Sequence, residues 1–271
     1  MGALACSCLV LLSACATGPV ARGNRAMDEG RFEIAAREYR DAAEADPEDV
    51  ALWVRLADAE THADRPQRAR EAWQRVALLR PDDPVPRIRV GFTWELNRRY
   101  DEATLAYRRA AEVAPDDPRP FRVLGTRLLR WGEPGAAVEP LSRAVELAPG
   151  HAETWNALGL ARHGAGDISG AEVTFRDGLS RHPDHRELYL GLAALLINEG
   201  RHAEALALYD RVVARWDDFA PAHVGRGILL HELGRPDEAE AAFARAVEVA
   251  RDPRRFAGRL ADYRELRASS R

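Results

Sequence analysis

Cys15 is the side chain whose place in the sequence points most directly to covalent chemistry. It follows an apolar run over residues 3–14, Ala-Leu-Ala-Cys-Ser-Cys-Leu-Val-Leu-Leu-Ser-Ala, and a thiolate is a strong nucleophile for group transfer. A membrane-spanning helix needs about 20 apolar residues. The run is shorter and has the length of the hydrophobic region of an export signal, although no basic residue precedes it. All three cysteines lie at or before position 15, so the remaining chain has no thiol and no disulfide. Elsewhere the pattern needed for catalysis is missing. His182 and His185 flank Pro183, a spacing with no further metal-ligand pattern around it. There is no HExxH, no GxSxG and no glycine-rich phosphate loop. The carboxylates stand beside arginines, as on ordinary helix surfaces. The sequence predicts no catalytic residue, no metal, no cofactor and no small-molecule substrate: the protein is not an enzyme.

What positions everything else is a repeat. Pro47, Pro81, Pro115, Pro149 and Pro183 are each 34 residues from the next. With each proline set as position 32, position 20 is alanine in all seven frames, from Ala35 to Ala239. Position 24 is large (Tyr39, Trp73, Tyr107, Leu141, Phe175, Tyr209, Phe243) and position 8 is small (Gly23, Ala57, Gly91, Gly125, Gly159, Ala193, Gly227). Hydrophobic residues at 46% and charged ones at 30% suit a packed helical array rather than a disordered chain. The net charge of −4, with arginine as the only basic residue besides histidine, gives no clustered basic excess of the kind that nucleic acid requires.

These columns resemble the tetratricopeptide repeat (TPR), a helix–turn–helix of 34 residues. The stretch 152–185 carries the pattern best, with Trp155, Leu158, Gly159, Gly166, Ala171, Phe175 and Pro183. The resemblance implies an all-α fold: a right-handed α-solenoid of about seven repeats over 20–253. Helices are expected near positions 1–14 and 18–31 of each frame. Pro19 and Arg22 depart from the pattern and predict a short first helix, while Asp217 and Arg251 replace the proline in the last two repeats. The small position 8 is expected to face the alanine of position 20, with position 24 packing across to the next repeat. The glycines at position 15 supply the left-handed conformation that ends a first helix. Residues 254–271, with Phe256, Leu260, Tyr263 and Leu266 on one helical face, are expected to cap the array.

In this family the first helices line a concave groove. The corresponding positions here are Val54, Ile88, Phe92, Arg122, Thr126, Leu129, Asn156, Leu160, Leu190 and Ile197. Many are apolar without being packing columns, which points to a groove for a peptide or helix of a protein partner. Arg122 and Asn156 are adjacent position-5 residues, but lysine is absent and no asparagine stands at position 9, so the family's carboxylate clamp is not reproduced. Of the six tryptophans, Trp53, Trp73, Trp94 and Trp155 fall in structural columns; Trp131 and Trp216 are candidate contacts.

Leu12-Ser13-Ala14-Cys15 resembles the lipobox of bacterial lipoproteins. It implies a signal peptide over 1–14, acylation of Cys15, a short tether over 15–19 and, with Ala16 following, the periplasmic side of the outer membrane. A lipidated repeat array is similar in architecture to the pilotin lipoproteins of type IV pili. The expected role is therefore a scaffold in the cell envelope that helps an outer-membrane secretin assemble. Adaptors that dock peptidoglycan hydrolases or proteases, and subunits of other secretion or motility complexes, share that architecture.

Overall fold

The computed structural model describes residues 18–269, and every regular element among them is a helix. First helices occupy the opening of each frame: α1 (Pro19–Asp28), α3 (Val50–His62), α5 (Pro84–Leu96), α7 (Pro118–Arg130), α9 (Ala152–Gly164), α11 (Arg186–Asn198) and α13 (Ala220–Glu232). The second helices are α2 (Phe32–Ala45), α4 (Pro66–Leu79), α6 (Tyr100–Val113), α8 (Pro134–Leu147), α10 (Ile168–Arg181), α12 (His202–Arg215) and α14 (Pro236–Val249), with α15 (Arg254–Ser269) last. Helix α1 is the shortest, and it is the one whose sequence departs from the repeat.

The turn inside each repeat is built the same way seven times. The N–H of position 16 reaches back to the carbonyl of position 11, as in Arg31 to Ala26 (2.7 Å) and Asp167 to Arg162 (2.9 Å), which satisfies a helix-end acceptor. That closure needs a left-handed residue at position 15. Five repeats use glycine there, but Asp64 (φ 55°) and Arg98 (φ 56°) adopt the same conformation with a side chain. Between repeats, Asp49, Asp83 and Asp117 at position 34 accept from the backbone N–H two residues on (2.8–2.9 Å) and so cap α3, α5 and α7.

Contacts divide the chain into two compact units, up to Leu124 and from Gly125, with the division inside α7. In each unit, consecutive helices pack on one another. The packing corrects one sequence expectation. A Cβ added at Gly159 would come within 2.5–2.8 Å of the Phe175 ring, so position 8 makes room for the position-24 ring of its own repeat. The other face of that ring meets Gly191, at position 6 of the next repeat. Gly23 lies under Tyr39 in the first unit in the same manner. Tyr107, Leu141 and Phe175 are wholly buried as a result.

Helix α15 docks on α14 through Tyr263, which is buried and tilts against Phe243 at 4.9 Å. Arg264 (2.8 Å) and Arg267 (2.7 Å) clasp Glu240 on α14. Leu266 stays half exposed, while Phe256 and Leu260 are half-buried and the Tyr263 hydroxyl donates to the Pro236 carbonyl (3.3 Å).

Two outcomes are expected. Gly159→Ala should lower stability by about 1–3 kcal/mol in urea unfolding, because overpacking outweighs the helix propensity of alanine. The hydrogen bonds from Arg264 and Arg267 hold the Glu240 carboxyl below its ordinary range, so the clasp is intact above about pH 4.3 and is lost as pH falls through the lowered value. Amide exchange on acidification should therefore deprotect 254–269 before α13 and α14.

Candidate functional site

Position 4 of a first helix and position 32 of the preceding repeat are linked by a side chain-to-carbonyl bond that the sequence reading did not identify. Trp53 Nε1 donates to the Pro47 carbonyl (3.0 Å), Trp155 Nε1 to that of Pro149 (2.9 Å) and the Tyr189 hydroxyl to that of Pro183 (3.1 Å). His223 Nε2 meets the Asp217 carbonyl at 2.8 Å, so the link persists where the proline is lost. The turn geometry persists as well: Trp216 (φ −129°, ψ 68°) matches His182 (φ −128°, ψ 65°), although only His182 precedes a proline. Trp216 also packs edge-on against Tyr189 at 6.2 Å, and that contact staples the junction locally. His182 is engaged too, its Nε2 at 2.9 Å from the Pro149 carbonyl. Among the described residues, no group of His, Cys, Asp and Glu is placed to hold a metal ion.

With those residues assigned to the junctions, the first-helix face remains. In the first unit, Val54 is half-buried and Phe92 is half-buried with its ring edge-on to Tyr107 at 5.8 Å. Ile88 is 8% exposed, so its side chain belongs to the packing and not to an open surface. Polar groups surround them. Asn24 Oδ1 accepts from both Arg55 (2.8 Å) and Tyr39 (2.8 Å), and burial pushes the Asp58 carboxyl up against the opposing pull of Arg89 and His62. Arg122 is exposed, while its neighbour Arg119 is tied to Asp117 at 2.6 Å.

The second unit presents a different surface. Leu160 is 40% and Ile228 41% exposed, and Leu190 and Ile197 are half-buried on the first helices between them. Thr126 and Leu129 on α7 are half-buried. Asn156, one turn before Leu160, has a buried Oδ1 with no hydrogen-bond partner among the described residues. Asn198 and His163 meet at 3.2 Å across neighbouring repeats. The face thus sets aliphatic side chains beside polar ones, with the carboxylates of Glu153 and Glu187 exposed in the first turns of α9 and α11. An exposed aliphatic column that the fold does not bury suits a contact with another protein. Cys15, and with it the expected signal and anchor, lies outside the described residues. No helix among the described residues is long and apolar enough to cross a membrane.

Comparison with known proteins agrees with this architecture. Two sequence models of the tetratricopeptide repeat match, one over residues 20–84 and the other over 184–252. No curated protein sequence matches the chain. Among solved structures, YrrB, described as a TPR protein with an unusual peptide-binding site, is 21% identical with a TM-score of 0.55, over 69% of this chain and 97% of its own. MamA from Desulfovibrio magneticus is 18% identical (TM-score 0.53; 61% of this chain and 93% of its own). The C-terminal part of a repeat protein from Cytophaga hutchinsonii is 11% identical (TM-score 0.68; 84% and 93%). At such identities the likeness is one of fold.

Exposure separates the two kinds of apolar residue on this face, and substitution should separate them too. Ile88→Glu should cost more than about 2 kcal/mol, because it buries a charge. Ile228→Glu should stay within about 0.5 kcal/mol of the parent in the same urea titration.

Proposed function

Because the chain is an all-α solenoid of tetratricopeptide repeats, we propose that it is a non-catalytic scaffold that holds a segment of another protein on its first-helix face. The observation that carries this reading is the exposure of Leu160 and Ile228 in columns that the helix packing does not use. Water contact at aliphatic side chains is unfavourable, and covering them with a partner's apolar surface releases it.

The finer reading is an outer-membrane lipoprotein that assists assembly of a type IV pilus secretin. It draws support from the apolar run before Cys15, from the acylatable thiol and from a tether too short to lift the repeats far from a lipid surface. On this reading the lipid places the scaffold at the membrane and the first-helix face carries the secretin segment to it.

Two variants test the two halves separately. Cys15→Ser should abolish incorporation of labelled fatty acid and release the protein from the membrane fraction; undiminished labelling would remove the anchor from the account. Leu160→Glu with Ile228→Glu should keep the helical circular dichroism and the membrane location, yet lose co-purification of the secretin. Retained secretin, or a wall hydrolase in its place, would count against the pilotin reading.

A further inference from the structure

A second surface stands apart from the outward column of the first helices, with an example in each unit. In the first unit a cleft of about 620 Å³ opens between α4, α5 and α6, with Leu78, Trp94, Leu105 and Ala106 among its apolar lining and Arg87 and Arg109 at its edge. Leu78 is 73% and Leu105 49% exposed, so the cleft wall is apolar surface in contact with water. In the second unit a cleft of about 550 Å³ lies at the equivalent repeat positions between α10, α11 and α12. Leu179, Leu192, Leu196 and Leu208 line it, with Arg176 and Arg211.

The charges at these clefts are unequal in a specific way. Position 26 of the repeat is arginine in five frames: Arg75, Arg109, Arg143, Arg211 and Arg245. Three of them are paired, Arg75 with Glu48 (3.0 Å), Arg143 with Glu146 (3.3 Å) and Arg245 with Glu248 (3.0 Å). Arg109 and Arg211 have no ion pair or hydrogen bond among the described residues, and these are the two that line the clefts. Glu112 stands three residues after Arg109, the spacing at which Arg143 and Arg245 find their partners, and is not engaged by it. The glutamate inside each cleft is already neutralised: Glu102 is bound by Arg99, and Glu204 by Arg201 at 2.6 Å. Each cleft therefore offers an apolar floor beside a guanidinium with unused donors, which matches a carboxylate set next to a large apolar side chain.

We propose that the two clefts are docking sites for an acidic–apolar protein segment, one that seats a leucine or phenylalanine on the cleft floor and a neighbouring Asp or Glu on Arg109 or Arg211. The scaffold then engages proteins through two faces, and loss of binding at one leaves the other intact.

The test is fluorescence anisotropy of the full chain with a labelled probe peptide, acetyl-Ser-Glu-Leu-Asp-Phe-Glu-Ser-amide, against a copy with lysine at its three acidic positions. Binding of the acidic probe alone is expected, weakening with salt and by at least about tenfold in Arg109→Gln with Arg211→Gln. Both arginines are exposed, so the circular dichroism should not change. The Leu160→Glu, Ile228→Glu variant should bind the probe as the parent does. Equal binding of both peptides, an unchanged affinity in the double arginine variant, or no binding of the acidic probe would overturn the proposal. A concentration-dependent dimer that the arginine variant dissociates would overturn it in favour of a second copy of this chain.

Discussion

A missing methyl group sets the spacing of the helices. Where position 8 is glycine, the large position-24 side chain of the same repeat lies against bare backbone, as the ring of Phe175 does on Gly159 and Leu141 does on Gly125. Gly191 and Gly225 repeat the device from the other side, each receiving the ring of the preceding repeat. The ring is therefore a spacer held between two first helices, and it passes the packing of one repeat to the next. Dense contact of this kind tolerates little change in volume. Burial of the alanine column at position 20, from Ala35 to Ala239, follows from the same close approach.

Hydrogen bonds then fix the angle at which each spacer is delivered. The turn within a repeat is closed backbone to backbone, and its left-handed residue is accepted even as Asp64 or Arg98. Four junctions between repeats are closed by a side chain at position 4, Trp53, Trp155, Tyr189 or His223. That substitution of one donor for another explains how the frame survives at Asp217 without its proline. With both closures supplied by the scaffold, the outward positions of the first helices are not needed for the turns, and in the second unit Leu160 and Ile228 stand there exposed.

Much of this was legible in the sequence because a 34-residue period is self-confirming: alanine, small and large columns agree across seven frames, and from α2 to α14 the observed helices begin and end within about one residue of the places that frame assigns. The partner of position 8 was not legible. Column identity shows that a residue must be small but not what it must make room for, which at position 8 is the large side chain of position 24. Ile88 and Ile228 show a second gap. Both are isoleucines on first helices, yet one is buried and the other open. Ile88 stands at position 5, where Val224 is buried as well, and Ile228 at position 9, where Leu160 is open, and a period alone does not give the depth of a column. The two unpaired arginines were hidden for a related reason, since pairing depends on rotamers and not on residue type.

The central claim is that the open aliphatic column, and not the packing, carries the function. Photo-crosslinking in intact cells tests it most directly, with the reactive side chain placed at residue 160 and, as a control, at the exposed residue Glu146 on a second helix. One dominant protein adduct from residue 160, with none from residue 146, is the result the account predicts. No adduct from residue 160, or the same adducts from both positions, would contradict it.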